Sequence, residues 1–224
     1  MIYCPIERLL YLEIPKNASS TVASILLDQL GGHRVLSPPL AGAPSWSNGL
    51  ATHRMEWASE FHPNDVTVFT TIRHPLERAF SLWDHFCIRH ASVFGWPSLT
   101  TTGEPYDFTD FARWLATAGP EYPYPKKGKS EWFEEQSRAF LAQWELLRHV
   151  HVDVFVRVAH LADDLARVWI SRDQLAEAGH RNQGSHARPR QATLAAKSFV
   201  ERWGVGDFHL LHLADQGNAW RPIA

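Results

Sequence analysis

An α/β domain with a central, mainly parallel β-sheet flanked by helices is the fold class that this sequence predicts. Three observations carry that reading. Two apolar runs, beginning at Leu9 and at Val66, each end in a short polar turn and continue as a helically spaced apolar stripe. A third run, Val152 to Val158 (VDVFVRV), has the same buried-strand character and precedes another helical pattern. Strands that alternate with helices pair in parallel, with the helices covering the sheet. At 224 residues the chain reads as one domain, 1–224, long enough to bury a sizeable core.

Taken in order, the first unit is Leu9 to Leu30, LLYLEIPKNASSTVASILLDQL. Its strand breaks at Pro15, after which Val22, Ile25, Leu26 and Leu30 fall on one helical face. Residues 31–49 are rich in Gly, Pro and Ser and read as loop around a short strand at His33 to Leu36. Ala58 to Asn64 reads as a short helix or loop, and Leu50 to Trp57 carries no clear pattern. Val66 to Ile72 (VTVFTTI) is β-branched and continuously apolar, as a strand buried on both faces is. Pro75 then suits the first position of a helix. On that helix Leu76, Phe80, Trp83 and Cys87 share one face, while Arg78, Ser81 and His85 fall on the opposite stripe. Residues 92–107 read as loop, Phe108 to Ala118 as helix, 119–132 as a Pro- and Lys-rich surface excursion, and Phe133 to Leu147 as helix. After the third strand come a helix at Leu161 to Val168 and a basic irregular stretch at 180–190 (HRNQGSHARPR). Helices at Thr193 to Trp203 and Phe208 to Ala214 close the chain.

Composition excludes several classes of function. The net charge is −2 with histidine neutral, so no overall basic field argues for a nucleic-acid partner. Two cysteines far apart, Cys4 and Cys87, make neither a disulfide framework nor a metal-ligand spacing. His149 and His151 alternate as on a strand but lack a third ligand, so no metal site is expected. No apolar run of about 18 residues predicts a membrane span. MIYCPIERLL lacks the pattern of a signal peptide, so the expected location is cytoplasmic.

The two turns carry the chemistry. The first, Lys16-Asn17-Ala18-Ser19-Ser20-Thr21, puts a cation and three hydroxyls at a helix start, where unpaired N–H groups favour a phosphate or sulfate. Ser-Ser-Thr serves equally as an ordinary N-cap. The second turn offers Arg73, Arg78 and Ser81, and two loops at the carboxyl ends of two strands can converge on one ligand. Together they fit a ligand with two separated anionic groups, although Arg73 alone also fits a strand-end salt bridge. Neither a Walker A nor a Rossmann glycine pattern is present; the first loop contains no glycine.

PKNASST after a strand resembles the phosphosulfate-binding loop of sulfotransferases that use 3′-phosphoadenosine 5′-phosphosulfate (PAPS), and TTIRHPLERAFSLW resembles their 3′-phosphate motif. The carbohydrate (type 2) branch, whose loop is often PKTGST-like, is the nearest in pattern. VFVRVAHLADDL and HRNQGSH extend the resemblance more weakly along most of the chain. It implies a three-layer, P-loop-NTPase-like fold and transfer of a sulfuryl group from PAPS to a hydroxyl or amine of an acceptor, such as a carbohydrate or small molecule. It also implies that Pro15, Lys16, Asn17, Ala18, Ser19, Ser20 and Thr21 bind the 5′-phosphosulfate, with Lys16 catalytic. Arg73 and Ser81 would hold the 3′-phosphate. This sequence departs from the family pattern in having Asn17-Ala18 for Thr-Gly, and Ala159 or His160 where an acidic residue is usual.

Deprotonating an acceptor calls for a group that titrates near neutrality. By resemblance the general base is His53, on the segment between the two motifs, with Glu56 and His62 as rivals. His74 more naturally orients its loop. Arg181, His186, Arg188 and Arg190 either close over the ligand or form a solvated loop. Two other readings stand beside the transferase: a nucleotide kinase or NTPase of the same architecture, and a non-catalytic module that binds a nucleotide or glycan.

Overall fold

The structure, a computed structural model, describes residues 1–35, 66–89, 104, 106–117, 138–179 and 191–221. Its sheet is built from β1 (Ile2–Cys4), β2 (Leu9–Leu12), β3 (His33–Arg34), β4 (Thr67–Ile72) and β5 (Val154–Arg157). The strands lie in the order β3-β1-β2-β4-β5. β2, β4 and β5 pair in parallel, whereas β1 runs antiparallel to both of its neighbours. The expected mainly parallel sheet is therefore present, with β1 as an addition that the sequence pattern did not disclose.

Alternation along the strands divides the core between the two sheet faces. Leu10, Leu12, Val68, Ile72 and Phe155 point to one face, against Leu146, Leu147, Leu210 and Ala214. Leu9, Tyr11, Phe69 and Val156 point to the other, against Val22, Ile25, Leu26, Leu161 and Leu165. The helices on these faces are α1 (Ser19–Ser24), α4 (Gln143–Leu147), α5 (Leu161–Leu165) and α8 (Val205–Asp215). A separate aromatic cluster joins α2 (Pro75–Trp83), α3 (Phe108–Thr117) and α7 (Leu194–Trp203). Phe80 and Cys87 are buried in that cluster, with Leu76 and Trp83 packed against it, so the apolar face read from the sequence stands.

Both helices that follow a motif strand end in a wider π-turn: α1 continues through Ile25–Gln29 and α2 through Asp84–Arg89. A helix not singled out in the sequence, α6 (Arg172–Ala178), starts at Ser171 with a capping box. Val158 begins a 3₁₀ turn instead of ending β5. The expected helix Phe133 to Leu147 is interrupted within its described part: a 3₁₀ turn at Arg138–Phe140 precedes α4. The cause is competition for its carbonyls. Those of Ala139 and Leu141 accept from the Arg78 guanidinium (3.0 and 2.8 Å), and that of Phe140 accepts from the Trp203 indole (2.8 Å). Carbonyls so engaged are satisfied without helical partners.

Candidate active site

Pro15 ends the β2 segment, and the chain turns sharply through Lys16 (φ 66°) and Ala18 (φ 59°), both left-handed without being glycine. Such a conformation costs an L-residue free energy and is held here by its surroundings. Asn17, between them, is fully buried. Its amide nitrogen donates to the Thr71 carbonyl at 2.8 Å and to Gln143 Oε1 at 2.6 Å. The Asn17 side chain therefore anchors the loop to the end of β4 instead of facing a ligand. Its Oδ1 has no partner among the described residues.

Ala18 is the N-cap of α1 and supplies no side-chain cap. Thr21 N–H and Val22 N–H both donate to the Ala18 carbonyl, at 3.0 and 3.2 Å. Ser19 is part-buried, Ser20 exposed and Thr21 buried. An uncapped helix start retains the partial positive charge of its first N–H groups.

The second loop is ordered differently. His74 caps α2, its Nδ1 accepting from Leu76 N–H at 3.3 Å, and Pro75 occupies the first turn. Arg73 donates through Nη1 to the Lys16 carbonyl and through Nε to Glu77, both at 3.3 Å. The two motif loops are thus in direct contact. Ser81 is part-buried on α2, about two turns beyond the cap.

Charge gathers where the loops meet. Burial, helped by the nearby Arg89 and Arg73 guanidinium groups and opposed by Asp84, pulls the Lys16 ammonium down to about 8. Arg89 pairs with Asp84 at 2.5 Å. Sequence reasoning missed this pair because a spacing of five residues lies off one face of an α-helix. The wider π-turn brings the two to the same side.

Arg78, read from the sequence as part of the polar stripe, is instead fully buried. Besides the two carbonyls named above, it donates through Nε to the Pro15 carbonyl at 3.2 Å and stacks over Trp203 at 5.2 Å. It supports the first loop from beneath. His53, Glu56, His62, Arg181, His186, Arg188 and Arg190 lie outside the described residues. Among the described residues no group of His, Cys, Asp and Glu is placed to hold a metal ion, and no helix is long and apolar enough to cross a membrane.

Fold and site define an α/β protein whose parallel strands carry two cation-bearing loops at their carboxyl ends, the position at which such sheets hold anionic ligands. The chain matches the model of the sulfotransferase family, which includes carbohydrate sulfotransferases, over residues 1–178, and it belongs to that family. No curated protein and no solved structure matches it.

Proposed function

We propose that this chain moves a sulfuryl group from PAPS to a hydroxyl or amine of a carbohydrate or small-molecule acceptor, on a P-loop-NTPase-like scaffold. The observation that carries the reading is the hydrogen bond from Arg73 to the Lys16 carbonyl, which joins the two motif loops. The donor set suits the co-substrate: a lysine, an uncapped helix start and an arginine converge, and each favours an anion.

In this reading Pro15 to Thr21 hold the 5′ side through backbone N–H groups, the hydroxyls of Ser19, Ser20 and Thr21, and Lys16. Asn17 acts through its backbone, its side chain being committed to Thr71 and Gln143. Arg73 and Ser81 hold the 3′-phosphate. When bound, PAPS would supply an activated sulfuryl group, its bond to the phosphate oxygen breaking as the acceptor oxygen or nitrogen bonds to sulfur and the adenosine bisphosphate leaves. Lys16 offsets the charge left on the phosphate side, an interaction stronger in the transition state than before it. His53 takes the acceptor proton as general base.

The test begins with adenosine 3′,5′-bisphosphate, which should bind and raise the melting temperature; a protein indifferent to it does not support this reading. With labelled PAPS and an acceptor panel, Lys16→Ala should lower transfer by about 10²–10³-fold, the range for losing one transition-state donor. His53→Ala should lower transfer and leave bisphosphate binding intact.

A further inference from the structure

We propose that Gln143 is the positioning residue that sets the register between the two loops and so determines the affinity contributed by the 3′-phosphate; this rests on the nucleotide reading given above. Gln143 is the first residue of α4 and is fully buried. Its Oε1 accepts from Arg73 N–H at 2.9 Å and from Asn17 Nδ2 at 2.6 Å. Its Nε2 donates to the Arg73 carbonyl and to Asp207 Oδ2, both at 2.8 Å. One amide therefore pairs with both backbone groups of Arg73 and also holds Asn17 of the other loop.

The geometry fixes which way the amide points. Arg73 N–H can only donate and its carbonyl can only accept, so oxygen faces the first and nitrogen the second. Asp207 reinforces the same choice. Its Oδ1 accepts from Trp144 N–H at 2.9 Å and its Oδ2 from Gln143, so both oxygens face donors, as suits a carboxylate. Arg73 lies just beyond the last parallel pair of the sheet, Ile72 with Arg157. Past that point the β4–β5 ladder no longer holds its backbone, and Gln143 takes over that role. The Asn17 amide that Gln143 holds is also bonded to the Thr71 carbonyl, whereas Gln143 bonds both backbone groups of Arg73. Loss of Gln143 should therefore loosen the Arg73 loop more than the Lys16 loop.

The comparison that isolates this role is between adenosine 3′,5′-bisphosphate and 5′-AMP, which lacks the 3′-phosphate. Calorimetric titration of the full chain is run on wild type and Gln143→Met, with melting curves recorded in parallel. Removing the two Gln143 bonds to the Arg73 backbone should cost bisphosphate about tenfold or more in affinity while AMP loses less than about threefold, so the preference collapses. Asp207→Asn gives an independent route, since Trp144 N–H keeps the new amide's oxygen and its NH₂ then confronts the Gln143 NH₂. Should Gln143→Met not fold, this variant carries the same comparison. A folded variant that keeps the wild-type ratio, however much melting temperature it loses, overturns the assignment and leaves Gln143 a merely structural residue. A wild-type protein that binds neither nucleotide overturns the nucleotide reading as well, so the two failures are told apart by the wild-type titration.

Discussion

Lys16 holds its charge where charge is unfavourable, half-buried and facing two arginines, and this gives its titration a definite sign. Its ammonium titrates at about 8, well below the ordinary lysine value of 10.5. Between those two values the unfolded chain binds the extra proton, so the stability of the free protein rises as pH increases through that window. Ligand binding runs the other way: an anionic nucleotide needs the charged form, so affinity for adenosine 3′,5′-bisphosphate should fall as pH climbs through about 8. Titration near pH 8.5 in buffers of different ionisation enthalpy should show proton uptake on binding. Equal heats in all buffers would mean that Lys16 does not meet the anion. Lys16 and Arg73 were legible in the sequence because each lies in a short pattern tied to its own strand and helix. Asn17 was not, because the inward turn of its amide depends on Thr71 and Gln143, far away in the chain. Arg89 was hidden by a helix period that changes under it.

The two strand–turn–helix units could be read directly, since each combines a continuous apolar run with a stripe at helical spacing. β1 could not: three residues flanked by Pro5 are too few to show alternation, and its partners are supplied by β2 and β3. Arg78 marks where helical patterning misleads. Position 78 shares a stripe with Ser81, yet the carbonyls of Pro15, Ala139 and Leu141 replace water around its guanidinium. Burial lowers its titration to about 10, with Asp207 opposing the shift, so the group stays charged. Arg78→Met should cost about 3 kcal/mol or more, because it leaves three carbonyls without their donors and removes a positive charge whose field favours the buried Asp207 carboxylate. Urea unfolding measures that loss. Arg78→Lys should recover little of it, since one ammonium on a flexible stem cannot serve three carbonyls and stack on Trp203. A loss below about 1 kcal/mol, the size of a single ordinary hydrogen bond, would mean that these bonds do not hold the loop.

Across the whole molecule, the site depends on a corner beyond the region that the family model covers. Residues 1–178 match, yet Asp207, which orients Gln143, lies on α8. Sequence patterns could not disclose this, because the bond joins residues separated by 64 positions and neither carries a motif. The corner approaches closely at two glycines. A methyl at Gly204 would meet Pro75 Cβ at 2.7 Å, and one at Gly206 would meet Trp144 Cδ1 at 2.2 Å and Cγ at 2.3 Å. The second contact is the more telling, since the indole is rigid and Trp144 directly follows Gln143. Gly206→Ala must push α8 and α4 apart, an overpacking cost of about 1–3 kcal/mol. The same displacement moves Asp207 away from both Trp144 N–H and Gln143 Nε2. The variant should therefore lose stability in urea unfolding and also lose part of its preference for adenosine 3′,5′-bisphosphate over AMP, although Gly206 belongs to neither motif loop. Thr193→Ala serves as the control: it removes a cap from α7, where Thr193 Oγ1 accepts from Ala196 N–H at 3.1 Å, at about 1 kcal/mol. If both variants lose stability and only Gly206→Ala loses the preference, the α8 corner sets the loop register; if neither or both lose it, the corner contributes stability alone.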